Sequence, residues 1–157
     1  MPDRDRRKPL LSVIVPTWNA STWTIRGLHA LRRNTVADLH LIWVDNGSDR
    51  DEQDAVQAVV DTFDHDAEYH PAPLGFARAV NHGLQHTRGD YTAILNNDVE
   101  VCPEWDVDLR GAVDAAPGAA GPMLLDAPVG WQSTRWHPWL GVPASLTDPE
   151  QVVSFLT

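Results

Sequence analysis

Two short runs constrain this chain more than anything else in it: LLSVIV at residues 10–15 and LHLIWV at residues 39–44. Both are almost continuously apolar and rich in β-branched residues, so a strand built from either buries both of its faces. The surrounding chain supplies the cover. Ile25, Leu28 and Leu31 fall three apart within residues 22–33, and Val56, Val59, Val60 and Phe63 fall at i, i+3, i+4 and i+7. Both are helical spacings. A short strand near 67–70 follows, then a helix over 76–86 with Phe76, Val80 and Leu84 four apart. A strand opens at Tyr91, and a further helix begins at Pro103 and Glu104 with Trp105, Leu109, Val113 and Ala116 on its inner stripe. Pro117 and Gly118 end that helix. Strand and helix alternate throughout, which predicts an α/β domain: a three-layer, Rossmann-like, mainly parallel sheet with helices on both faces and right-handed crossovers.

At 157 residues the chain is one domain's worth. Its net charge of −10 argues against a polyanionic nucleic acid partner, but not against a small nucleotide held through a metal. Cys102 is the sole cysteine, so neither an intrachain disulfide nor a thiolate metal cluster can form. The charged N-terminus MPDRDRRKP reads as a disordered tail over residues 1–9. The apolar run after it is too brief for a signal core or a membrane span, so a cytoplasmic location is expected. Peripheral contact at the inner face of a membrane through Arg4, Arg6, Arg7 and Lys8 is the alternative.

In an open parallel sheet, ligands bind beyond the carboxyl ends of the strands. Three polar turns are expected on that edge: PTWN, DNGSD and NNDVE. The last closes YTAILNNDVEV, an apolar run ending in amides and acids, and makes Asp98 a candidate ligand for a hard cation. Mg²⁺ and Mn²⁺ take one or two protein carboxylates and complete their shell with phosphate and water. Asn97 and Asp98 are also good turn formers, so a plain turn is the competing reading. In the second turn, Asp49 followed three residues later by Glu52 resembles a capping box. There is no G-x-G-x-x-G and no P-loop, which disfavours a dinucleotide site.

Taken in order, VIVPTWN, VDNGSD, LGFARAVNHG and LNNDVEV resemble a family 2 glycosyltransferase of the GT-A fold. The rhamnosyltransferase-like subgroup, in which GPMLLDAPVGWQS also has a counterpart, is the nearer likeness. The resemblance runs from about Leu10 to Ser133. It implies a nucleotide-sugar-binding domain over residues 10–126, and a Trp- and Pro-rich segment at 127–157 that begins an acceptor-binding part. It also implies that Pro16, Thr17, Asn19 and Asn46 line a nucleotide pocket, with Asp45 bonding the base or ribose. Gly75, Phe76, Arg78 and Asn81 would wrap the diphosphate and sugar. Asn96, Asn97 and Asp98 would stand where the family carries D-x-D, with Asp98 binding Mn²⁺ or Mg²⁺. The implied donor is a UDP- or dTDP-sugar. Its hexose or deoxyhexose would pass, with inversion, to a glycan or lipid-linked hydroxyl in polysaccharide biosynthesis.

Three positions depart from the family pattern. Asn96 replaces the first D-x-D acid, Arg50 falls where an acid is usual, and Pro73 replaces an Asn. The family's catalytic base normally lies further along, and Asp126, Asp148 and Glu150 lack its context, so no base is expected in this chain. Two other classes compete: a non-catalytic nucleotide-sugar-binding or interaction module, and a nucleotidyltransferase, whose usual glycine-rich basic loop is missing. Q-x-x-R-W at residues 132–136 comes too soon after Asp98 to act as in processive enzymes. His82 and His86 are one helical turn apart, as zinc ligands can be, but no third ligand is evident, so ordinary surface histidines are expected. Trp131, Trp136 and Trp139 can be read as a sugar platform, as core, or as an exposed patch that drives self-association.

Overall fold

Both apolar runs become interior strands. The computed structural model describes residues 8–116 and 118–121. In it β1 (Leu10–Thr17) and β2 (Asp38–Asp45) pair in parallel, from Leu10 opposite Asp38 to Thr17 opposite Asp45. β3 (His65–Tyr69) flanks β2, and β4 (Tyr91–Ile94) flanks β1, giving an all-parallel sheet of order β3-β2-β1-β4. The helices are α1 (Ser21–Asn34), α2 (Arg50–Val60), α3 (Phe76–Leu84) and α4 (Trp105–Ala115). The chain divides after Asp114, and every described element begins before that point. No helix among the described residues is long and apolar enough to cross a membrane.

The two-residue period of a strand sorts the core into two layers. Leu11, Val13 and Val15 of β1 join Leu41 and Trp43 of β2 beneath Leu28 and Leu31 of α1 and Val56 and Val60 of α2. On the other face, Ile14, Ile42 and Val44 meet Ala79 of α3. Gly83 brings α3 down onto this face, because a Cβ there would lie 2.6 Å from the Ile14 side chain. The first two crossovers therefore cover one face and the third covers the other. The strand order reverses between β1 and β4, and that reversal opens a crevice at their carboxyl ends.

Several expectations need correction. β1 does not stop with the apolar run at Val15 but continues through Pro16 to Thr17. Pro16 points the same way as Ile14, toward β4, where the ladder has already ended at the Ile14–Ile94 pair, so its missing N–H leaves no rung broken. β3 begins at His65 rather than Ala67, and α3 ends at Leu84, with His86 in the following turn. The Phe76, Val80, Leu84 stripe is not the buried face of α3: Val80 is buried with Ala79 and Gly83, while Phe76 is 55% exposed. The capping box is absent. Asp49 stands at the N-cap of α2 without a side-chain cap bond, and Glu52 turns away to accept from Ser21 N of α1 at 2.5 Å. On α4 the stripe Trp105, Leu109 and Val113 is only half-buried and Ala116 is exposed.

The one buried residue of α4 is an acid, Asp106. Its carboxylate accepts from Val36 N at 2.9 Å and Ala37 N at 3.0 Å, and Arg110 donates to it at 3.0 Å. Burial alone would raise its pKa, but the two backbone donors and Arg110 outweigh this and hold the carboxyl below its ordinary value. Trp105 Nε1 donates to Thr35 Oγ1 at 2.9 Å, so α4 is fastened to the α1–β2 connection by polar bonds more than by an apolar stripe.

Candidate active site

The turn after β1 carries two left-handed residues in succession, Asn19 (φ 53°) and Ala20 (φ 58°). Asn tolerates that region; Ala does so at a cost of about 1–2 kcal/mol. The bonds that hold the turn come from its neighbour. Asn19 N donates to Ser48 Oγ at 2.8 Å, and Asp49 N donates back to Asn19 Oδ1 at 2.8 Å. Asn46 N reaches Thr17 O at 2.8 Å. Glu52 completes the stitching at Ser21 N, and that backbone N–H holds the Glu52 carboxyl below its usual range.

Asp45 sits at the centre of the stitched loops and is 1% exposed. Its Oδ1 accepts from Gly47 N (3.2 Å), Ser48 N (3.0 Å) and Gln53 Nε2 (3.2 Å). Among the described residues its Oδ2 takes only a long bond from the Thr17 hydroxyl, at 3.5 Å. Thr17 Oγ1 in turn accepts from the Trp43 indole at 2.7 Å. Asn46 carries the order onward, since its Oδ1 accepts from Leu74 N at 2.7 Å and so holds the 71–75 loop. That loop passes directly over Gly47 (φ +87°), where a Cβ would lie 2.7 Å from the Ala72 backbone.

The end of β4 is built differently. Leu95 N still bonds to Ile14 O at 3.0 Å, and then the chain leaves the sheet. Asn97 Nδ2 donates to Thr24 Oγ1 at 3.1 Å. Gly27 of α1 lets this loop lie against the helix, because a Cβ there would stand 2.8 Å from Val99 O. Glu100 is taken by Arg26 at 2.5 Å. Asn96 and Asp98 are exposed, and Asp98 has no hydrogen bond or ion pair among the described residues. A shallow crevice, open to solvent, lies behind the loop between Thr24, Leu28 and Leu95.

The structure thus brings Thr17, Asn19, Asp45 and Asn46 into one bonded group and sets Asn96, Asn97 and Asp98 one strand away from Thr17. Pro16 is buried in β1. Gly75 (φ +82°) caps α3, and Phe76, Arg78 and Asn81 are exposed along that helix. Arg78 and Asn81 have no side-chain bonds among the described residues. Sequence reasoning missed Ser48, Thr24 and Gly27 as loop holders; only the lone glycine inside a helical pattern signalled one of them. It also passed over Trp18, which is 60% exposed beside Thr17. Asp126, Asp148, Glu150, the Q-x-x-R-W string and Trp131, Trp136 and Trp139 lie outside the described residues, as do residues 1–7 of the tail and the expected boundary at 126.

Hard oxygen donors suit Mg²⁺ or Mn²⁺ at the β4 end. The exposed Asp98 carboxylate, without a bond among the described residues, is the kind of single ligand that these ions supplement with phosphate and water.

Comparison with known proteins agrees with this architecture. The glycosyl transferase family 2 model matches residues 12–149. A validoxylamine A glucosyltransferase of Streptomyces hygroscopicus subsp. jinggangensis is 29% identical over 161 residues, covering 98% of this chain and 36% of its own length. A mannosyltransferase from Pyrobaculum calidifontis, solved with GDP-Man and Mn²⁺, superposes with a TM-score of 0.59 at 25% identity, over 76% of this chain and 34% of that one. TarS of S. aureus, solved with UDP-GlcNAc, shares the fold with a TM-score of 0.60 at 16% identity, over 74% of this chain and 38% of that one. These structures are GT-A glycosyltransferases, and the four-stranded parallel sheet is of that type. The chain spans about a third of the length of these relatives.

Proposed function

This chain belongs to glycosyl transferase family 2, and on that premise we propose that its strand-end loops bind a nucleoside-diphosphate sugar for transfer to a hydroxyl acceptor. The observation that carries the reading is the uncommitted Asp98 at the open end of β4, next to the bonded loops around Asp45. A site for a metal-bound diphosphate needs a carboxylate that the fold leaves free, and Asp98 is such a group.

In this reading Asp98 would hold Mn²⁺ or Mg²⁺, which when bound would neutralise charge on the departing nucleoside diphosphate. The protein's own residues do the positioning. Asp45 contributes first by shaping the Gly47–Ser48 backbone; its Oδ2, held only by the long Thr17 bond, faces the base or ribose with remaining acceptor capacity. Trp18 offers an exposed ring for base stacking. Arg78 and Asn81, without side-chain bonds among the described residues, supply charge and hydrogen bonds to the diphosphate and sugar. The donor is a UDP- or dTDP-sugar and the acceptor a glycan or lipid-linked hydroxyl at the cytoplasmic side. The transfer inverts the anomeric centre, and the carboxylate that takes the acceptor proton is not assigned to this chain.

The test is calorimetric titration of the full chain with UDP, dTDP and GDP, each with Mn²⁺ and again with EDTA. Metal-dependent binding of UDP or dTDP is expected. A folded protein that binds none of the three, or binds equally in EDTA, contradicts the reading.

A further inference from the structure

We propose that Glu68, His70 and His82, with His86 beside them, form a second metal site: one for a divalent ion of the Zn²⁺ class that clips β3 to α3. Glu68 Oε1 lies 3.2 Å from His70 Nε2 and 2.8 Å from His82 Nδ1. Its other oxygen lies 3.3 Å from His86 Nε2. The His70 and His82 rings meet edge to face with centroids 4.7 Å apart. One ligand atom from each of Glu68, His70 and His82 falls within 4.8 Å of the others. Around a tetrahedral Zn²⁺ with bonds of about 2.0–2.1 Å, neighbouring ligand atoms stand roughly 3.3 Å apart. The side chains are already gathered on that scale, and small rotations would bring them onto one ion.

The competing explanation is an ordinary carboxylate–imidazole cluster, in which Glu68 collects N–H donors and nothing more. His70 argues against it. Its Nε2 is buried and, although 3.2 Å from Glu68, has no hydrogen bond among the described residues, because the geometry is wrong for one. A buried ring nitrogen left in this way is costly. A metal ion accepts the nitrogen lone pair from a position where Glu68 cannot receive its proton. His82 of α3 and His86 in the turn after it gain their further ligands from Glu68 in β3 and from His70 just past that strand, 12 or more residues earlier in the chain.

The donor set separates this site from the one at Asp98. Imidazole nitrogen with carboxylate suits Zn²⁺, Ni²⁺ or Cu²⁺, whereas Mg²⁺ prefers all-oxygen shells. The two lie at opposite edges of the sheet, since β3 and β4 are its outer strands. The consequence of binding is local. His70 N donates to Asp45 O at 2.9 Å and the 71–75 loop starts just after it, while the loop leads into the helix that carries His82. An ion held by both elements would brace that loop against the Asp45 turn.

The untagged full chain, stripped with chelator, is titrated with Co²⁺ as a spectroscopic probe and with Zn²⁺ by calorimetry. The expected result is one ion per chain at micromolar affinity or tighter, with visible ligand-field bands that Zn²⁺ displaces. His82→Ala, at a half-exposed position, should weaken binding at least about ten-fold. Glu68→Gln and His70→Asn should do the same, with circular dichroism confirming the fold, and Asp98→Ala should leave the site unchanged. Zn²⁺ should raise the melting temperature of the parent chain and not that of His82→Ala. Three results would overturn the proposal: no binding below about 100 μM, binding that survives both His82→Ala and Glu68→Gln, or binding lost in Asp98→Ala alone.

Discussion

Asp45 and Asp98 are both acids at the carboxyl ends of parallel strands, yet the fold treats them in opposite ways. Asp45 is buried, and one of its oxygens holds three donors that shape the turn after β2. Asp98 is exposed and has no bond among the described residues. In the proposed reading the difference separates two tasks. A carboxylate that already satisfies backbone N–H groups works as a frame, because drawing it toward a ligand would strand those donors. A carboxylate that must meet a cation and a diphosphate works best uncommitted, with its desolvation compensated only when the ligand arrives.

Breaking the frame should cost the most. Asp45→Ala strands Gly47 N, Ser48 N and the Gln53 amide, and should lower stability by about 3–4 kcal/mol, read from urea unfolding. An unchanged midpoint would mean that the stitched loops hold without it. Asp106 sharpens the point, being wired like Asp45 but bonded to the α1–β2 connection rather than to the site loops. Asp106→Asn should cost about 2–3 kcal/mol near pH 7 and leave nucleotide affinity unaffected.

Its pH dependence has a definite sign. The native Asp106 carboxyl titrates below its ordinary value, so its stabilisation is complete above the unfolded group's pKa of about 4 and is lost as pH falls through the depressed native value. Asp106→Asn should flatten that acid limb of the stability curve, and a limb of unchanged steepness would assign it to other groups. Gly27→Ala should come next, at roughly 1–2 kcal/mol, because its Cβ meets a backbone carbonyl, Val99 O, that has little room to retreat. It should also weaken metal-dependent binding, since the same loop carries Asp98.

Much of this fold was legible because its signal is periodic. The β1 and β2 runs, the α1 and α2 stripes and the alternation of elements all follow from side chains that must be buried on a regular spacing. What was not legible depends on partners distant in sequence. Glu52 reads locally as half of a capping box, but its bond goes to Ser21, 31 residues away. Asp106 reads as the polar side of α4, yet it is the buried side, because Val36 and Ala37 present two free N–H groups there. His82 and His86 showed their helical spacing, while Glu68 and His70 come to them from a neighbouring strand. At the site itself, residue types and strand-end placement were readable. The division of labour between Asp45 and Asp98 was not, since only the hydrogen bonds distinguish them.

The most direct test of that division is the metal-dependent nucleotide affinity of Asp98→Ala against the parent chain, measured by calorimetry with Mn²⁺ alongside urea unfolding of both proteins. The account predicts at least about a ten-fold loss of affinity, with stability within roughly 0.5 kcal/mol of the parent. Undiminished metal-dependent binding, or a loss matched by a drop in stability as large as that of Asp45→Ala, would contradict it.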